Sequence, residues 1–124
     1  MNWKVPFFDL VLGDEEKRAV LQVLESNWLT AGPKIGEFES AFAAALGSDA
    51  QAVAVSSATA AMHLSLAALG VGEGDEVILP VHTYVATAEV IALLRLSPVF
   101  VDVDPKTFTL DPAQLEGLIT SRTR

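Results

Sequence analysis

The stretch from Val53 to Val81, VAVSSATAAMHLSLAALGVGEGDEVILPV, limits what this chain can fold into more than any other. An apolar run at Ala52–Val55 ends in small residues, a helix-length segment follows at once, and a glycine-rich turn leads to a second apolar run. The pattern predicts a strand covered on both faces, a helix over Ala60–Leu69 stopped by Gly70, and a second strand over Glu76–Leu79 closed by Pro80. Ser56, Ser57, Ala58 and Thr59 stand where the first strand passes into the helix. There the first backbone N–H groups lack intrahelical acceptors, and with the positive end of the helix dipole they offer a seat for an anion such as phosphate. Ordinary N-capping selects the same residues.

The rest of the chain extends this alternation. Residues 1–12 carry Trp3, Val5, Phe7, Phe8, Leu10 and Val11 beside Pro6, so they are expected to lie extended across a larger body. Gly13 and Asp14 open a helix that stops near Ser26 and Asn27, with Glu15 and Glu16 in its first turn where the dipole favours acids. Trp28–Gly36 is a loop. A helix is expected over Glu37–Leu46, with Phe38 and Phe42 on one face, Gly47 as a left-handed cap, and Glu37 and Glu39 compensating the dipole. Val85–Leu96 has helical length, Pro98–Val103 reads as a third buried strand, and Asp111, Pro112 and Gln114 match a capped helix start at Pro112.

Strands alternating with helices of this length imply an α/β fold with a mostly parallel sheet and ligands at the carboxyl ends of its strands. Three strands make a small sheet, so the ending at Arg124 resembles a truncation. Residues 1–35 are expected to form an N-terminal extended segment and helix, and residues 36–124 the first part of the α/β domain.

Charge and composition narrow the partners. Sixteen acidic against eight basic residues give a formal net charge of -8, which argues against nucleic acid because phosphate-backbone binding needs clustered Lys and Arg. No cysteine is available for a disulfide, a thiolate nucleophile or a metal–thiolate site. No apolar stretch has the length of a membrane span or the layout of a secretory signal, so a cytoplasmic protein without a membrane partner is expected.

The chemistry-bearing residues each have a plain alternative. Tyr84, just after the strand Glu76–Leu79, could stack on a planar ligand or pack with its hydroxyl satisfied. His63 lies inside the helix after the anion seat and has no visible acid partner, whereas His82 is closer to the strand end. Asp102 and Asp104 lack a third ligand and read as solvated strand-end acids, so no metal is expected. Neither G-x-G-x-x-G nor a P-loop is present, and the glycines of GVGEGD follow the helix instead of opening it.

Taken together, TAGPKIGEFESAFA, VSSATAAMHLSLAALGVGEGDEVILP, HTYVATAEVI and PVFVDVDPKTFTLD resemble, in order and spacing, the N-terminal part of the DegT/DnrJ/EryC1/StrS family of pyridoxal-phosphate-dependent sugar aminotransferases. The likeness runs from about Val5 to Arg124. It implies the three-layer large domain of the fold-type I PLP transferases, cut off after about three strands, and pyridoxal 5′-phosphate as cofactor. It also implies transfer of an amino group, usually from glutamate, to a nucleotide-linked keto sugar, in a homodimer. Carried over by residue, it puts the cofactor phosphate on the N–H groups of Ala58 and Thr59 and the Thr59 hydroxyl, and the ring-stacking aromatic at Tyr84. Thr30 and Gly32 match a family signature on the substrate side.

The same resemblance places the Schiff-base lysine and the aspartate facing the pyridine nitrogen beyond Arg124. None of Lys4, Lys17, Lys34 and Lys106 has the family's lysine context, so no catalytic residue is assigned and the chain alone is expected to be inactive. Relatives with histidine at the lysine position are sugar dehydratases, which this stretch does not separate from aminotransferases. A non-catalytic α/β module that binds a phosphorylated metabolite is the alternative from another class.

Overall fold

The computed structural model describes residues 4, 5, 8–47 and 49–124. The chain divides into two compact units, Met1–Ala54 and Val55–Arg124.

The first unit is helical. Helix α1, Asp14–Glu25, starts where predicted: Gly13 is its N-cap, and the Gly13 N–H donates to Glu16 Oε2 at 2.7 Å, so the acid occupies an orphan donor. Helix α2, Pro33–Ala45, begins four residues before the predicted Glu37. Pro33 supplies a fixed φ and gives up only an N–H that would have had no helical acceptor, so the helix nucleates there instead of at the first acid. Glu37 and Glu39 therefore lie past the first turn, and dipole compensation does not explain them. Glu37 pairs with Lys34 at 2.6 Å, and Glu39 Oε1 accepts the Ala54 N–H at 2.7 Å. Gly47 ends the helix in the left-handed region at φ 63°, and the Phe38 and Phe42 rings meet with centroids 5.9 Å apart.

Phe8, Leu10 and Val11 precede α1 without regular structure and are exposed; Trp3, Pro6 and Phe7 lie outside the described residues. The strand predicted for Ala52–Val55 does not form. Its backbone joins no ladder among the described residues, and Val53 is 79% exposed, so the apolar run is not covered on two faces. A strand exists only by pairing, and apolar character does not supply a partner.

The second unit carries the core. Helix α3, Ala58–Ala68, is followed by a turn with Gly70 and Gly74 at positive φ and then by strand β1, Glu76–Pro80. Helix α4, Ala86–Leu93, crosses back to strand β2, Ser97–Val101. The strands are parallel, with Glu76 opposite Ser97 and Pro80 opposite Val101. Helix α4 is shorter than predicted: Arg95 takes φ 59°, and the Leu96 N–H returns to the Ile91 carbonyl at 3.0 Å. That closure turns Leu96 into the core beside Leu79, Val90 and Ile91, with Met62 and Leu66 of α3 packed against them. Each fully buried aliphatic side chain there contributes roughly 1.5–3 kcal/mol.

The sheet therefore has two strands where three were predicted, but the third position is not vacant. Residues 120–124 run along the other side of β1: the Glu76 N–H donates to the Arg122 carbonyl at 2.9 Å, and the Arg124 N–H to the Glu76 carbonyl at 3.0 Å. Glu76 and Thr123 form a parallel bridge. Before that segment, the helix expected at Pro112 is only a 3-10 turn, Pro112–Gln114, followed by the single turn α5, Leu115–Leu118. Asp111 Oδ1 caps Ala113 N–H at 3.0 Å, but the Gln114 side chain donates to Asp111 Oδ2 instead of reaching back to the backbone.

Candidate functional site

Helix α3 begins with two backbone donors that have no acceptor among the described residues. Ser57 is its N-cap, extended at φ -164°, and its hydroxyl accepts the Ala60 N–H at 3.1 Å while its carbonyl accepts the Ala61 N–H at 3.0 Å. The cap consumes the third and fourth donors. The N–H groups of Ala58 and Thr59 have no acceptor among the described residues, and the Thr59 hydroxyl has none either. Capping by Ser57 therefore leaves the first two donors of the helix without a partner.

The second feature is the loop between β1 and α4. Val81 N–H donates to the Val101 carbonyl at 2.9 Å, extending the β1–β2 pairing one residue past Pro80. At the far end the Thr83 and Thr87 hydroxyls meet at 3.2 Å, and the Tyr84 carbonyl accepts the Thr87 N–H at 3.0 Å. Tyr84 stands between these anchors and is 77% exposed, so its ring is available to a ligand and does not pack in the core.

Topology brings the two features to one end of the sheet. Helix α3 runs into β1 through a tight turn and α4 leaves β1 through a short loop, so both helices start at the carboxyl end of β1. An apolar groove of about 360 Å³ runs between the two helices along β1, lined from Ala61 to Leu66 on α3, from Val77 to Leu79 on β1 and by Thr87, Val90 and Ile91 of α4. A carboxyl-edge position beside helix N-termini is where open α/β sheets take ligands.

Thr30 and Gly32 belong to the other unit and share a second cavity, of about 460 Å³, with Ser26, Trp28, Lys34 and Ile35. The Trp28 indole N–H donates to the Ala31 carbonyl at 3.1 Å, and the ring lies so close over Gly32 that a Cβ there would sit 2.9 Å from Trp28 Cδ1. Glycine at 32 lets the indole close the loop.

His63 is half-buried within α3 without a hydrogen-bond partner among the described residues, and His82 is exposed with its ring edge-on to Phe108. Asp102 and Asp104 bind backbone N–H groups of their own loop, those of Val103 and Lys106. Among the described residues no group of three or more acids and histidines could hold a metal ion, and no helix is long and apolar enough to cross a membrane.

Sequence reasoning missed Glu76. It is the buried charged residue of this unit, 6% exposed, and its carboxylate accepts the Thr120 hydroxyl and both Nε and Nη2 of Arg122. The Thr120 hydrogen bond leads in holding its pKa below the usual carboxylate value, with Arg122 adding to it and burial opposing both. An acid heading the apolar strand EVILP was the available signal. It lies at the amino end of β1, away from Tyr84, and so fastens the sheet at the end opposite the β1–α4 loop.

The sequence profile of the DegT/DnrJ/EryC1/StrS aminotransferase family matches residues 11–124. Among solved structures, Spr1654 of Streptococcus pneumoniae, described as a sugar aminotransferase and solved in its PLP form, is 38% identical and superposes with a TM-score of 0.89 over 98% of this chain and 31% of its own. DesV of S. venezuelae is 40% identical, with a TM-score of 0.82 over 90% of this chain and 30% of its own. The GDP-4-keto-6-deoxy-D-mannose-3-dehydratase of E. coli, with bound hydrated PLP, is 32% identical, with a TM-score of 0.89 over 96% of this chain and 32% of its own. This chain therefore spans about a third of the length of these relatives. Its α/β architecture with a small parallel sheet is that of the fold-type I PLP transferases, and the chain belongs to the DegT/DnrJ/EryC1/StrS aminotransferase family.

Proposed function

We propose that this chain is the N-terminal part of a pyridoxal-phosphate-dependent aminotransferase acting on a nucleotide-linked keto sugar, with glutamate as amino donor. The observation that carries the reading is the pairing of two acceptorless N–H groups, at Ala58 and Thr59, with the exposed Tyr84 at the same sheet end. A phosphate with a planar aromatic ring attached matches that pair of features. In this reading Ala58 and Thr59 hold the phosphate through their N–H groups and the Thr59 hydroxyl, where the α3 dipole favours its charge. Tyr84 covers one face of the ring and keeps water from it.

When bound, pyridoxal phosphate supplies an electron sink for moving an amino group between carbon centres. The residues of this chain bind and orient it, and Thr30 and Gly32 face the substrate. Residues 36–124 form the first part of the cofactor-binding domain, with residues 1–35 leading into it. The covalent lysine lies outside this chain, which alone does not transaminate. A homodimer and a cytoplasmic setting belong to the same reading. The sugar-dehydratase reading stands beside it because the E. coli dehydratase is similar over the same stretch.

Equilibrium dialysis of pyridoxal phosphate against the chain tests the site. Removing one hydroxyl that bonds a charged group weakens affinity by roughly ten- to a hundredfold, so Thr59→Ala is expected to lose that much. Unchanged affinity would sink the phosphate assignment. Turnover by the isolated chain, given cofactor, donor and keto sugar, would overturn the claim that the covalent half lies elsewhere.

A further inference from the structure

We propose that Phe108 is a positioning residue that fixes the Tyr84 loop from the neighbouring strand end; the inference rests on the reading of Tyr84 as the ring-stacking residue. Phe108 closes a tightly bonded turn after β2. Its N–H donates to the Asp104 carbonyl at 2.8 Å, the Asp104 N–H donates to the Thr109 carbonyl at 2.9 Å, and Val103 and Leu110 pair across the base. Asp104 Oδ1 also accepts the Lys106 N–H at 2.7 Å, and the Thr107 and Thr109 hydroxyls meet at 2.8 Å.

At the end of that turn Phe108 adopts φ 57°, the left-handed region where glycine or asparagine costs little and a bulky aromatic residue is strained. The ring is 62% exposed, so core burial does not explain the strain. What the conformation does achieve is an edge-on contact with His82, centroids 5.9 Å apart and planes at 75°.

His82 lies two residues before Tyr84, inside the loop whose ends are fastened by Val81 and Thr87. Between those anchors no hydrogen bond to another element holds His82 or Tyr84 among the described residues, and Phe108 is the ring neighbour of His82. Because β1 and β2 are parallel and adjacent, the turn after β2 lies beside the loop after β1. Phe108 thus serves as the side wall of that loop. Backbone strain held by a hydrogen-bonded turn is the form in which folds maintain such placements.

Phe108→Gly separates this role from a merely structural one, because it deletes the ring and relieves the left-handed strain together. The expected result is a Tm no lower than wild type, with pyridoxal phosphate affinity by equilibrium dialysis weakened about three- to tenfold, the scale of one aromatic contact. Phe108→Tyr should restore the affinity, and Phe108→Asn, which tolerates the backbone but lacks the ring, should not. The His82 ring-proton resonances should shift in the Gly and Asn variants and return in Tyr. Wild-type affinity in Phe108→Gly, or no rescue by Tyr, overturns the proposal while Tyr84→Ala still weakens binding. If Tyr84→Ala itself binds normally, the stacking reading and this inference fall together. Should the Gly variant not fold, the Asn and Tyr pair decides.

Discussion

The guanidinium of Arg122 donates both Nε and Nη2 to Oε1 of Glu76, 46 residues earlier in the chain. The Thr120 hydroxyl occupies the other carboxylate oxygen, and the neighbouring Asp75 pairs with Arg124 at 3.3 Å. Charge therefore fastens the last residues of the chain to the buried start of β1.

Stability should depend on pH through this carboxylate. The Thr120 hydrogen bond and Arg122 hold its folded pKa below the ordinary carboxylate value, so its contribution is complete above that ordinary value and is lost as pH falls through the lower folded pKa. Thermal melts from pH 7 to pH 3 should show Tm falling in the acid range. Glu76→Gln should melt lower at pH 7 and lose the part of the slope below the ordinary carboxylate value; an unchanged slope would remove Glu76 as its source.

Ala58→Pro should separate ligand binding from folding. Ala58 is the first residue of α3 and its N–H has no acceptor, while Ser57 before it is extended, as a residue preceding proline must be. The substitution should leave Tm within about 2 °C, because N1 tolerates proline, and weaken pyridoxal phosphate binding by roughly tenfold. Equal affinity in dialysis would show that this N–H does not face the phosphate.

Tyr84 offers a distinction between ring and hydroxyl. Tyr84→Phe should keep cofactor affinity, whereas Tyr84→Ala should lose about three- to tenfold with little effect on Tm, since the side chain is exposed. A Phe variant as weak as Ala would move the role from stacking to the phenol.

Gly32→Ala should displace the indole of Trp28. A new Cβ would lie 2.9 Å from Cδ1 and 3.0 Å from Nε1, so the ring must swing and its bond to the Ala31 carbonyl must break. The Trp28 indole N–H resonance should move and exchange faster with solvent, with a loss of about 1–3 kcal/mol if the loop cannot adapt. An unmoved resonance would mean that Trp28 does not close the loop in solution.

The family blocks, the start of a helix just after Ser57 and the placement of Tyr84 just past the strand β1 were legible in the sequence because each is local. A strand end, a helix start and a turn depend on neighbours a few residues away. The failures have two causes: a strand needs a pairing partner that apolar character does not supply, and a side chain can take a nearer acceptor than the expected one. Val53 is apolar enough for a buried strand, yet no ladder receives it among the described residues. Gln114 sits at capping-box spacing, but Asp111 takes its side chain first.

The sequence by itself determined the alternation of helices and short strands, the starts and stops at Gly13, Gly47 and Gly70, and the free donors of α3. These follow from backbone sterics and the four unpaired N–H groups of any helix. Only the tertiary structure decided that Glu76 is buried against Thr120 and Arg122, that residues 120–124 take the edge of β1, and that Phe108 meets His82. Those contacts join residues 26 to 48 positions apart, and no local periodicity encodes which distant side chain will satisfy a buried charge or brace a loop.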